Sequence, residues 1–154
     1  MTILHVNDTH GRYNYEEGKV IGYPKAKTII DQFKAQGPTI ALDAGDATHG
    51  TNFATLSQGE SIVKLLDMAG FSAIVPGNHD FNYGKDRLIE LSSMGQNLKY
   101  MSANIKVEDT GENLLQANDV YDVDGIKVGV FGISTPETVY KSHPNNTKGL
   151  NLMM

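Results

Sequence analysis

Apolar and polar positions alternate along this chain in blocks that switch between strand and helix periods. Residues 2 to 6 (TILHV) read as a short buried strand, and residues 20 to 36 place Ile29, Ile30 and Phe33 at helical spacing before the stop Gly37-Pro38. The alternation recurs. TIALDAG (39 to 45) is β-rich, ESIVKLLDMAG (60 to 70) puts Ile62, Leu65, Leu66 and Ala69 on one helical face with Gly70 as C-cap, and FSAIVPG (71 to 77) is strand again. KDRLIELSSMG (85 to 95) follows as an amphipathic helix and KYMSANI (99 to 105) as another strand. Such alternation predicts an α/β fold, a mostly parallel sheet with crossover helices. After residue 105 the pattern changes, because YDVDGIKVGVFGIS holds two β-runs joined by Asp124-Gly125, a strong hairpin signal. An antiparallel pair is therefore expected beside the parallel sheet. The tail SHPNNTKGLNLMM shows turn residues and no closing element, and no repeat or linker divides the chain.

Composition narrows the classes. With 154 residues, 40% hydrophobic and 20% charged, the chain has the size and balance of one ordinary globular domain or part of one. A net charge of -5 argues against polymeric nucleic acid as a partner, since counterion release needs clustered Lys and Arg. An acidic excess also suits carboxylates gathered around divalent cations. No apolar run approaches the roughly 18 residues of a membrane span. The absence of cysteine excludes disulfides, thiolate metal sites and thiol catalysis. The opening MTILHVND is already strand-like, with no signal-peptide pattern.

In parallel α/β sheets ligands bind beyond the carboxyl ends of the strands. There this chain carries Asn7-Asp8-Thr9-His10-Gly11, Asp43-Ala44-Gly45-Asp46 and Gly77-Asn78-His79-Asp80. Asp, Asn and Gly are ordinary turn formers, so each cluster alone reads as a turn. Three at successive strand ends read as a site. Asp8 and His10, two apart in an extended segment, can converge on one cation, and the two oxygens of Asp46 can bridge two. Asn78 adds a neutral amide oxygen. Mixed oxygen and nitrogen donors suit Zn, Mn, Fe or Co rather than a calcium cage.

These motifs resemble the binuclear metallophosphoesterases (the calcineurin-like superfamily), and within them the bacterial 5'-nucleotidase and 2',3'-cyclic-nucleotide phosphodiesterase group. The carriers are Asn7 to Arg12, Gly45-Asp46 and Gly77 to Gly84, with weaker likeness through Ser102-Ala103-Asn104 and residues 132 to 138. The resemblance implies two divalent metal ions, with Asp8 and His10 on the first, Asp46 bridging and Asn78 on the second. It places His79 at the phosphate, with a nucleotide or other small phosphate ester as substrate. Arg12, two positions after His10, has two readings, a phosphate contact and a solvated strand-end arginine. It further implies half of a four-layer α/β/β/α sandwich, residues 1 to 154 being the N-terminal part of one catalytic domain, and an extracytoplasmic location. Asp80 has two readings, orienting a neighbour or capping the next helix.

Two departures from the family pattern stand out. Many nucleotidases of the group carry an aspartate three residues after the histidine, where this chain has Asn82; an amide can bond the ring but cannot hold an imidazolium by charge. The family also completes both metal sites with histidines from later motifs. His5 reads as a core residue of the first strand, and His49 and His143 lie in loops without ligand-like neighbours. About half of a metal centre is therefore expected here, with little hydrolase activity from these residues alone and self-association through the uncovered sheet. The rival readings are a non-catalytic half-domain that needs a second chain and a flavodoxin-like phosphate binder. The latter is disfavoured because no glycine-rich loop follows the first strand.

Overall fold

A computed structural model describes residues 1–153. Four parallel strands form the main sheet in the order β1-β2-β3-β4: β1 (Thr2–Val6), β2 (Thr39–Asp43), β3 (Ala73–Ile74) and β4 (Lys99–Tyr100). The crossovers contain α1 (Gly22–Lys34), the short α2 (Asn52–Leu56), α3 (Glu60–Ala69) and α4 (Lys85–Ser92). The α/β reading of the sequence holds. Tyr23 and Ile30 of α1, Ile62, Val63 and Leu66 of α3, and Leu88 and Leu91 of α4 pack on Ala41, Ile74 and Tyr100 of the sheet. Burial of these side chains fastens one sheet face to its helices.

Several boundaries differ from the pattern-based expectation. In α1 the inward residues are Tyr23, Ala26 and Ile30, while Phe33, in the last turn, is exposed. α3 buries Ile62, Val63, Leu66 and Ala69, and Gly70 takes the left-handed C-cap with φ 93°. β3 spans two residues, since Pro76 lacks the N–H a continued ladder would use. The run 99 to 105 is split between β4 and β5 (Ile105–Val107).

β6 (Asn118–Val123) and β7 (Ile126–Phe131) form the expected hairpin, with Asp124 and Gly125 both at positive φ as a two-residue turn requires. The tail does close an element: α5 (Thr138–Lys141) leads to β8 (Leu150–Leu152), which pairs antiparallel with β5. The sequence hides β8 because three residues are too few to show a period.

β1 was expected to be buried, and it alternates instead. Leu4 and Val6 pack on the helix-covered core, while His5 is exposed, not a core residue, and Ile3 is 54% exposed. On the face opposite the helices His5, Leu42, Val75, Met101 and Phe131 line a cavity of about 210 Å³, and Phe131 is 69% exposed.

Candidate metal centre

Beyond β1 and β2 the backbone ladder continues into the loops. Ala44 N–H donates to the Val6 carbonyl at 2.8 Å, Asp8 N–H to Gly45 at 2.9 Å, and His10 N–H to Asp46 at 2.9 Å. The two strand-end loops are thereby zipped together. Asp8, His10 and Asp46 all sit in left-handed backbone, with φ of 53°, 46° and 56°. Asp and His tolerate this region better than most residues, and such conformations concentrate at functional sites. Together the ladder and the turns bring one ligand atom from each of Asp8, His10 and Asp46 within 4.8 Å of one another. His10 Nε2 lies 3.7 Å from Asp8 Oδ1, and the Asn7 amide bonds Asp8 Oδ2.

The loop after β3 joins by close backbone approach. A Cβ on Gly45 would lie 2.4 Å from the Val75 carbonyl oxygen, and one on Gly77 only 2.3 Å from Asp46 Oδ1, so both positions need glycine. His79 N–H donates to Asp46 Oδ1 at 2.7 Å. Burial pushes the Asp46 carboxyl above its ordinary value, and that hydrogen bond opposes the shift. Asn78 lines a cleft of about 220 Å³ with Asp8 and Asp46, while its carbonyl is held by the Ser142 hydroxyl at 2.7 Å. Among the described residues its side-chain amide has no hydrogen-bond partner.

Asp80 is resolved in favour of orientation rather than capping. It is 1% exposed, and its two carboxylate oxygens accept from the N–H groups of Asp46, Ala47, Thr48 and Gly77 and from the Thr48 hydroxyl, at 2.7 to 3.1 Å. A buried carboxylate needs that many donors. The result is a clamp between the second and third loops.

His79 Nδ1 lies 3.1 Å from Asn82 Nδ2. With the amide as donor, the neutral ring carries its proton on Nε2. The His79 ring meets His10 edge-on at 5.1 Å and lies nearly parallel to His49, 5.7 Å away at 7°. His49 is thus the residue that sequence reasoning missed: its neighbours in the chain are uninformative, and only the Asp80 to Thr48 contact shows that this segment folds over the site. Burial, then His79 and His10, hold the His49 pKa below its usual value. His143 caps a 3-10 turn, its Nδ1 accepting from Asn145 N–H at 3.3 Å. Arg12, expected near the phosphate, is exposed and lines a separate cavity of about 270 Å³ with Asp8, Thr9 and Tyr23. The structure does not bring it to Asp46 and Asn78.

Two carboxylates and an imidazole at this spacing fit one divalent cation of the borderline type. Asn78 shares the lining of the neighbouring cleft with Asp46. No helix of the described residues is long and apolar enough to cross a membrane.

Parallel strands ending in zipped, glycine-shaped loops that converge oxygen and nitrogen donors define a candidate divalent-metal site. The Calcineurin-like phosphoesterase family model matches residues 1–149, and the chain belongs to that family, whose members use divalent metal ions. A 5'-nucleotidase of Vibrio vulnificus is 33% identical over 149 residues, covering 94% of this chain and 27% of the relative. A mouse 5'-nucleotidase is 30% identical over 168 residues, covering 99% and 28%. The chain thus spans little more than a quarter of the length of these curated relatives. In fold it is similar to a 5'-nucleotidase precursor from Thermus thermophilus, with TM-score 0.85 and 24% identity over 99% of this chain and 31% of that one.

Proposed function

We propose that the protein hydrolyses phosphate esters of nucleotides, as a 5'-nucleotidase or as a 2',3'-cyclic phosphodiesterase and 3'-nucleotidase, with residues 1 to 154 forming the N-terminal part of the catalytic domain. The observation that carries this reading is the convergence of Asp8, His10 and Asp46 on one point beside His79. Asp8, His10 and Asp46 would hold one divalent ion, and Asp46 with Asn78 part of the shell of a second, both of Zn, Mn, Fe or Co type. Such ions, when bound, supply Lewis acidity toward phosphoryl oxygens and acidify a water. His79 supplies the remaining polar contact: its Nε2–H donates to a phosphate or leaving-group oxygen, while Asn82 fixes the ring. The names of the relatives favour nucleotides as the substrate class.

We place the protein outside the cytoplasm on its likeness to the bacterial nucleotidase group. A second reading, a half-domain that associates with another chain to complete its site, is favoured by one observation: Ile3 and Phe131 stand more than half exposed on the sheet face away from the helices. The 154 residues alone are expected to show little hydrolysis and to self-associate through that face.

The test uses the protein as the cell makes it, supplied with Mn and assayed on AMP by phosphate release and on 2',3'-cyclic AMP by chromatography of the ring-opened monophosphate and adenosine. Hydrolysis that needs Mn and vanishes in Asp46→Ala is the expected result. Wild-type protein that binds Mn yet neither releases phosphate from AMP nor opens the ring of 2',3'-cyclic AMP would refute it.

A further inference from the structure

We propose that His49 is a phosphoryl-binding residue of this site, donating a hydrogen bond to a phosphate oxygen beside His79; the proposal rests on the phosphoesterase reading above. The segment carrying it is clamped on both sides. Before it, the Thr48 N–H and hydroxyl are held by Asp80 at 2.9 and 2.7 Å. After it, Gly50 lies so close to the first loop that a Cβ would fall 2.4 Å from the His10 carbonyl oxygen, and the Thr51 hydroxyl donates to the Gly11 carbonyl at 2.8 Å. The chain between those anchors has one course, and it leaves the His49 ring parallel to His79 and 5.7 Å from Tyr83.

What distinguishes a ligand group from packing is the state of the ring nitrogens. His79 has committed Nδ1 to Asn82, whereas His49 is half-buried and neither of its nitrogens bonds any described residue. A half-buried imidazole with unspent nitrogens beside the candidate metal cluster has hydrogen-bonding capacity that packing does not use. Inorganic phosphate and the phosphoryl group of the ester present the same acceptor oxygens, so both should feel it.

The experiment compares His49→Phe, which keeps the stacked ring and loses both nitrogens, with His49→Gln, which keeps an N–H donor. Each variant, in the protein as the cell makes it, is assayed for inhibition of Mn-dependent hydrolysis by inorganic phosphate, for KM, and for Mn affinity. Loss of one hydrogen bond predicts an inhibition constant and KM about tenfold higher in H49F and within about threefold of wild type in H49Q, with Mn affinity unchanged in both. Wild-type inhibition and KM in H49F would show that stacking suffices and overturn the proposal, as would equal loss in both variants. Failure of the wild-type protein itself to hydrolyse either ester would instead remove the phosphoesterase reading, and this one with it.

Discussion

Asp80 Oδ1 accepts from both the backbone N–H and the hydroxyl of Thr48, and through this pair a buried carboxylate of the third loop sets the path of the second. Asp80→Ala would leave five donors without their acceptor, two of them the N–H groups of Asp46 and Gly77. Breaking a buried charged hydrogen-bond network typically costs on the order of 3 to 5 kcal/mol. Urea melts should show that loss, together with weaker Mn binding. Asp80→Asn, which keeps one oxygen, should lose less; equal stability of all three proteins would mean the clamp is not needed.

The Gly77 to Asp46 contact gives a sharper test because the substitution that probes it changes no charge. Ala at position 77 must displace an Asp46 oxygen that its Cβ would meet at 2.3 Å, while Ala at Gly129 meets nothing within 4 Å and needs no unusual φ. A misplacement of about 1 Å at a catalytic group costs roughly a hundredfold in rate. Gly77→Ala should therefore lose activity on that scale and bind Mn more weakly, with Gly129→Ala indistinguishable from wild type in both assays.

Much of this arrangement is legible in the sequence, for identifiable reasons. The alternation of strand and helix periods places Asp8, Asp46 and Asn78 after successive strands of a parallel sheet, which puts them on one sheet edge. Asp124-Gly125 announces its hairpin because both residues must adopt positive φ. Long-range partners leave no such mark. Asp80 reads locally as a turn former, and its role depends on N–H groups more than thirty positions away. His49 inherits its place from that contact. The exposure of His5 follows from its place on the sheet face that no helix covers, which the apolar run of β1 does not disclose.

A buried group beneath the site predicts a pH dependence of stability. Burial pushes the Asp43 carboxyl from 3.8 up to about 8, opposed by the hydrogen bond from Gly45 N–H at 2.8 Å and reinforced by the Asp80 charge; among the described residues its Oδ2 has no partner. The folded value stands above the unfolded one, so the folded state holds the extra proton between them. Stability from this group is full below the unfolded value and is lost as pH rises to about 8. In metal-free protein, urea melts from pH 5.5 to 8 should fall by up to about 1.4 kcal/mol per pH unit from this source. Asp43→Asn keeps the acceptor for Gly45 and removes the ionisation, and should flatten that slope. An identical slope in the variant would show that Asp43 does not ionise in this range.

Asn82 decides which nitrogen of His79 carries the proton, and that choice has a kinetic signature. As donor to Nδ1, the amide leaves Nε2–H as the donor of the neutral ring, so His79 can serve a phosphate oxygen without being charged. An aspartate there would require Nδ1–H, leaving the neutral ring a bare Nε2 lone pair; only the imidazolium, which the carboxylate favours, would still donate from Nε2. Asn82→Asp should therefore make kcat fall more steeply on the alkaline side than in wild type, with 15N shifts of His79 reporting the exchanged tautomer. Asn82→Ala removes the constraint without reversing it and should lower kcat by about tenfold across the whole range, the worth of one oriented hydrogen bond. Parallel pH profiles for wild type and Asn82→Asp would show that the proton on Nε2 is not set by residue 82.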